Sequence, residues 1–261
     1  MSQLEEVDGI ILSVRNHREN DRLVKIFTNR FGKRMFFVKG TRKPNSKLKS
    51  AILPFTKAQY IADIRESGLC FLRDAKEVHH YSSMQKDIFL NAYATYVLGL
   101  ADAALEDGIV DPTLFHKIEM TLTDIDEGYD PEIMLNIFEV QLLPYFGVAP
   151  ELRGCVACGT TEGIFDYSSS YGGLLCQKDW HLDVHRYHAT PRAIHFLRIF
   201  SRIDLEQLGE IKVKEETKTE LRRLLDMIYD ESVGIKLKSK SFIDQMHTWG
   251  DMLLPKKKPI E

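Results

Sequence analysis

Residues 9–40 read GIILSVRNHRENDRLVKIFTNRFGKRMFFVKG. The apolar run GIILSVRNH turns polar by alternation toward its end, as a strand does on leaving a core. RLVKIFT sets Leu23, Val24, Ile26 and Phe27 among cations, and NRFGK supplies a glycine-bearing hairpin turn before KRMFFVKG. Further along, ILPFTKAQYIADI (52–64) and GLCFLRDAKEVHHY (68–81) are rich in β-branched and aromatic residues and continue the β pattern. Five short strands within about 75 residues predict a small closed barrel, because an open sheet of that size leaves unpaired edges.

The charge of this region is unlike that of the rest. The chain of 261 residues carries a net −3, yet residues 1–80 hold 16 Lys and Arg against 9 Asp and Glu, a net of +7, and the remainder is at −10. Residues 15–57 alone hold 13 cations against Glu19 and Asp21, a net of +11. Such asymmetry points to a module that binds a polyanion, joined to a different one. Between the third and fourth strands KGTRKPNSKLKS (39–50) has no apolar periodicity and reads as a basic loop. Nucleic acid demands cations to neutralise phosphates and aromatic faces on which unpaired bases stack. Lys33, Arg34, Lys39, Arg42, Lys43, Lys47 and Lys49 are candidates for the first role, and Phe31, Phe36, Phe37 and Phe55 for the second, although most of these rings belong inside the barrel.

From residue 82 the period changes to that of helices. Apolar pairs at 88/89, 92/93, 96/97, 100/101 and 104/105 predict one long helix capped by Ser82 or Ser83. Asp111-Pro112, Asp130-Pro131 and Thr190-Pro191 each read as an N-cap followed by proline at the first helical position. Two more helical stretches follow near 214–230 and 240–253, and PKKKPIE reads as a frayed tail. The expected organisation is α+β: a barrel domain over 1–80, then a helical domain over 81–261 with an insertion at about 152–188. No apolar run approaches the roughly 18 to 20 residues needed to span a bilayer, and the acidic N-terminus carries no secretory signal. These features predict a cytoplasmic protein with no membrane partner.

The insertion contains GCVACGTTEGIFDYSSSYGGLLCQKDWHLDVHR (154–186). Cys155 and Cys158 form C-x2-C, and Cys176 follows at the distance of a zinc ribbon, whose two-residue spacer lets a tight turn bring both sulfurs to one ion. The fourth cysteine of such a ribbon would stand at 179, where this chain has Asp179. His181, two residues on, is the favoured fourth ligand and Asp179 the alternative for a single structural zinc; otherwise the cysteines pack as small apolar side chains. Catalytic patterns are missing: no phosphate-binding loop, no dinucleotide fingerprint, no H-E-x-x-H and no G-x-S-x-G. His195 sits in an amphipathic stretch and reads as structural. The competing classes are a DNA-binding protein, an RNA-binding barrel protein and, less favoured, a zinc-dependent hydrolase.

Several segments, in order, resemble one family, the bacterial recombination mediator RecO. The chain resembles its D-[KR]-[IL]-V-x-[LI]-[FY]-[ST] pattern at Asp21, Arg22, Leu23, Val24, Ile26, Phe27 and Thr28, then its G-K at Gly32 and Lys33 and its V-K-G-[AT]-R at 38–42. ILPFT at 52–56 is similar to the family's L-[QE]-P-F segment, and FEVQLLPYFGVAPELRGCVACG at 138–159 to its approach to the metal region. The resemblance implies an OB-fold, a helical bundle with a zinc-ribbon-like insertion, no enzymatic activity and no nucleotide. It also implies binding of single- and double-stranded DNA, strand annealing, and help in loading RecA together with RecR. A further implied partner is the C-terminal tail of single-strand DNA-binding protein, in a nucleoid-associated setting. Zinc-bearing members have cysteine where this chain has Asp179.

Overall fold

The computed structural model describes residues 3–253 apart from 42, 44, 45 and 210, with side chains through 246. Arg42 and the PKKKPIE tail therefore lie outside the described residues. Five strands, β1 (Gln3–His17), β2 (Asp21–Thr28), β3 (Gly32–Val38), β4 (Thr56–Ile64) and β5 (Cys70–His80), close into a barrel in the order β1-β2-β3-β5-β4. Neighbours are antiparallel except β3 and β5, which run parallel. This is the five-stranded OB-fold.

Alternation fills the interior. Along β4, Thr56, Ala58, Tyr60, Ala62 and Ile64 are buried and the residues between them half-buried, the period-2 signature of a strand with one face in a core. From the neighbouring strands Val7, Ile11, Val24, Ile26, Phe36 and Leu72 complete the packing. Gly9 permits the closure of β1 on β4, since a Cβ there would lie 2.6 Å from Ile26 Cγ2 and 2.9 Å from Tyr60 Cδ2. The basic loop is not irregular throughout, as the sequence suggested. It ends in a helical turn, α1 (Leu48–Ala51), and Ala51 and Ile52 plug the barrel. Buried Tyr60 donates its hydroxyl to the Ala51 carbonyl at 2.7 Å. The loop's returning end is thus fixed by apolar burial and one hydrogen bond, while Lys47 and Lys49 stay exposed.

Helices α2 (Ser82–Lys86), α3 (Ile88–Ala104) and α4 (Pro112–Glu127) follow. The single helix expected from residue 82 is broken at Asp87, whose backbone is extended and whose carboxylate accepts the N–H groups of Phe89 and Leu90 at 2.7 and 3.3 Å. A carboxylate at that position caps a new helix. The first apolar pair, Ile88 and Phe89, is consequently exposed, whereas Tyr93, Val97, Leu100 and Ala101 are buried. Asp111 caps α4 as expected, accepting from Leu114 N at 2.8 Å.

A buried ammonium ties the β2–β3 hairpin to the end of α3. Lys33 is 1% exposed. Its Nζ donates to the carbonyls of Asp102 and Leu105 and lies 3.0 Å from Asp102 Oδ1. Lysine at a helix C-terminus satisfies carbonyls that have no partner within the helix. Lys25 Nζ adds contacts of 2.6 Å to Asp102 and 3.0 Å to Asp107. Partial burial opposes charge on Asp102, but hydrogen bonds from Lys25 and Lys33 outweigh it and hold the carboxyl below its usual range. The turn is shaped to admit the loop after α3: Gly32 has φ +63°, a Cβ there would lie 2.1 Å from the Ile109 carbonyl oxygen, and Gly108 N donates to Lys33 O at 2.9 Å.

The described residues up to Glu127, with those from Lys236 onward, form one compact unit; residues 128–235 form a second. Helices α2–α4 thus group with the barrel. The second unit contains α5 (Pro131–Leu142), α6 (Pro191–Phe200), α7 (Glu215–Ile228) and a three-stranded sheet of β6 (Glu151–Cys155), β7 (Phe165–Ser168) and β8 (Gly173–Cys176) in the order β6-β8-β7. Asp130 and Thr190 cap α5 and α6 as expected. Fully buried Glu139 on α5 receives both terminal nitrogens of Arg222 on α7, at 2.6 and 3.1 Å. The last helix, α8 (Lys238–Leu253), belongs to the first unit and packs on α3.

Replacing Lys33 with Ala orphans two helix-end carbonyls and part of the Asp102 charge. A loss of about 3 kcal/mol in urea-measured stability is expected. Asp102 sets a pH signature. Its depressed pKa makes the contribution complete above about pH 4 and lost as pH falls through the lower folded value. The variant should therefore shed part of this acid-sensitive contribution and keep the part that Lys25 supplies.

Candidate nucleic-acid face and candidate metal centre

The outer surface of β2 and β3 is divided by what covers it. Near the hairpin, Phe27 is fully buried and packs edge-on against Phe115 of α4 at 5.9 Å, and Lys33 beside it is sealed by the end of α3. Four residues further from the turn on each strand the cover stops. Register places Leu23 opposite Phe37 and Phe37 opposite Phe71, all half-buried on the barrel's outside. Phe37 meets Phe71 edge-on at 5.8 Å and His17 at 5.9 Å. Arg65 lies 4.5 Å over the Phe71 ring, and Arg73 lies 5.9 Å from it. The result is an apolar, aromatic row with guanidinium groups on it, the combination onto which an unpaired base can stack.

The basic residues singled out from the sequence fall into three groups. Lys39, Lys43, Lys47 and Lys49 are exposed and free to face phosphates. Arg42 is outside the described residues. Lys33 and Arg34 have structural duties. Lys33 is buried against α3, so its charge does not reach a phosphate. Arg34, half-buried, donates to the carbonyls of Phe31 at 3.2 Å and Glu66 at 3.0 Å. Among the aromatic candidates, Phe36 and Phe55 are buried, Phe31 packs partly against the core beneath Arg30, and Phe37 faces outward on the open part. Sequence reasoning missed Phe71, with Arg65 and Arg73 beside it. The alternation of β5 held the signal: Cys70 and Leu72 point inward, so Phe71 and Arg73 point out.

In the second unit Cys155 ends β6, Cys158 follows in a tight turn, and Cys176 ends β8. The turn closes through Gly159 N to Cys155 O and Cys155 N to Thr160 O, both 2.8 Å. Asp179 Oδ2 lies 3.1 Å from the sulfurs of Cys155 and Cys176, and Cys158 Sγ lies 3.7 Å from Cys176 Sγ. All four donor atoms are within 4.8 Å of one another. His181 is not in the group. It is exposed, with Nδ1 2.9 Å from the Lys178 carbonyl. The reason is the 3-10 turn Gln177–Leu182: with three residues per turn, a side chain at 179 returns beneath Cys176, and one at 181 points away. Of the two fourth ligands the sequence offered, the structure groups Asp179 with the cysteines and leaves the favoured His181 outside.

The donors suit a metal ion. A tetrahedral zinc with bonds of about 2.3 Å to sulfur sets neighbouring sulfurs about 3.8 Å apart, close to the observed 3.7 Å. Cys176 N also donates to Cys155 Sγ at 3.3 Å, an outer contact that orients a ligating sulfur. With protons on the sulfurs, the same cluster organises around the carboxylate. Hydrogen bonds from Cys158, Cys155 and Cys176 hold Asp179 down at about 2, and Cys158 is pushed up to about 12, chiefly by its bond to Asp179.

Comparison with known proteins agrees with this architecture. Residues 1–81 match the family model described as Recombination protein O N terminal, and residues 85–241 match Recombination protein O C terminal. Among relatives named DNA repair protein RecO, that of Enterococcus faecalis is 57% identical over 99% of both chains. The Latilactobacillus sakei protein is 47% identical over 99% of this chain and 94% of its own, and the Levilactobacillus brevis protein 48% over 95% of each. With an OB-fold barrel, a cysteine ribbon and full-length similarity of this order, the chain belongs to the recombination protein O family of DNA repair proteins.

Proposed function

We propose that this protein is a DNA-binding recombination mediator whose barrel holds nucleic acid along the open row of Leu23, Phe37 and Phe71. That row carries the reading: it joins aromatic faces to guanidinium groups where α3 and α4 leave β2, β3 and β5 uncovered. Exposed Lys39, Lys43, Lys47 and Lys49 supply phosphate contacts from the neighbouring loop. Single- and double-stranded DNA share the phosphates, and the aromatic row adds affinity for unpaired bases. Annealing needs two strands close together with charge neutralised and bases exposed, and no bond is broken. The protein accordingly works without nucleotide and is not an enzyme. By family membership its partners are RecR, the tail of single-strand DNA-binding protein and, indirectly, RecA, in the nucleoid of the cytoplasm.

The test is annealing of complementary strands precoated with single-strand DNA-binding protein, without ATP. Reversing charge at Lys43, Lys47 and Lys49 should abolish it, leave the thermal transition in place, and lower the salt slope of single-strand binding by roughly 0.7 per lost phosphate contact. Annealing that survives the reversal, requires ATP, or is matched by equal affinity for RNA of the same sequence would contradict the reading.

Cys155, Cys158, Cys176 and Asp179 would hold one zinc with no position left for substrate, which makes the ion structural. Elemental analysis of protein purified without chelator should find about one zinc per chain. Asp179→Ala should reduce that occupancy, and His181→Ala should leave it intact. Equal zinc content in the two variants would remove Asp179 from the ligand set.

A further inference from the structure

We propose that the ribbon is also a thiol-oxidation site, in which Cys158 and Cys176 form a disulfide that competes with the metal. Three observations support the pairing. The two sulfurs are 3.7 Å apart, so a bond requires an approach of about 1.7 Å. Their exposures differ: Cys158 is open to solvent, while Cys176 is 4% and Cys155 3% exposed. Cys158 also lies in the exposed part of the site. It follows Ala157 in an exposed turn before Gly159, which has φ +74° and open space where a side chain would be. Cys155 is held on β6, its sulfur taking the Cys176 amide at 3.3 Å and lying 3.1 Å from Asp179.

The chemistry needs an oxidant, and a small disulfide such as oxidised glutathione supplies it. Cys158, the sulfur such a molecule can reach, must first give up the proton it holds toward Asp179; its thiolate then attacks one of the sulfur atoms and releases one small thiol. Cys176 then attacks the Cys158 sulfur of the mixed disulfide and releases the second. Two protein thiols are oxidised, one external disulfide is reduced to two thiols, and the protons pass to those leaving groups. The product lacks two of the four donors, so it cannot hold a tetrahedral ion. The disulfide itself stands on the geometry of the thiols. Its competition with metal rests on reading the cluster as a zinc centre.

The experiment treats the full-length protein, zinc-loaded and chelator-stripped, with oxidised glutathione, and follows intact mass, released zinc and the cross-linked peptides after proteolysis. The stripped protein should lose two hydrogens and yield a cross-link between peptides carrying Cys158 and Cys176. Zinc-loaded protein should react at least tenfold more slowly, releasing its zinc in step with the cross-link. Cys176→Ser should stop at a glutathione adduct on Cys158, whereas Cys155→Ser should still give the cross-link. A parallel oxidation in urea shows the pairing of the unfolded chain, which favours the short Cys155–Cys158 loop. A native product mapping to Cys155–Cys158, a mixture like that in urea, or no intramolecular disulfide would overturn the proposal. Equal rates with and without zinc would overturn the competition alone, and failure to load zinc at all would fall on the metal reading instead.

Discussion

Lys33 carries its charge into a site with almost no water, and an ammonium there costs several kcal/mol unless it is fully paired. The pairing is supplied by the last turn of α3: two backbone carbonyls and the Asp102 carboxylate. For those atoms to reach Lys33, the loop after α3 must lie against the β2–β3 turn, which only a glycine at 32 allows. Lys25 then joins the same acidic group from the neighbouring strand. One buried cation thus fixes the helix end on the barrel and decides how much of the barrel's outer surface is covered. The covered half contains Phe27 and Lys33; the uncovered half contains Leu23, Phe37 and Phe71. On the proposed reading, where nucleic acid can bind follows from where α3 ends.

A similar local constraint shapes the ribbon. Once β8 ends at Cys176 and the chain turns into a 3-10 helix, the residue three positions on must share the sulfur's face. The carboxylate at 179 is placed by backbone geometry before any metal is considered. Three soft donors and one hard oxygen still match zinc. The turn that brings Cys158 to the cluster also exposes it, so the geometry suited to an ion leaves one cysteine open to solvent.

Much of the barrel was legible because a closed sheet imposes period 2 on every strand, and alternation such as that of 56–64 survives in any context. The caps at Asp111, Asp130 and Thr190 were legible because an N-cap followed by proline is a local signal. Asp87 was passed over because the apolar pairs run past it unbroken; the exposed Ile88 and Phe89 are where that pattern misled. Lys33 was read as a surface cation because composition gives all cations equal weight, and its partner Asp102 is 69 residues away in sequence. Phe71 was missed because the alternation of β5 shows only that it points outward; its place beside Phe37 needs the register between β3 and β5, a pairing of parallel strands distant in the chain. His181 was preferred to Asp179 on ligand chemistry, a criterion that the geometry of a short helical turn overrode.

The central claim is that the end of α3 leaves one part of the barrel to DNA. Photocrosslinking with a single strand carrying bromodeoxyuridine, mapped by mass spectrometry, tests it most directly. The account predicts crosslinks at Phe37 and Phe71 and none at Phe27 or Phe115 under the helices. Crosslinks confined to residues 128–235, or equally strong at the covered and uncovered ends of β2 and β3, would contradict it.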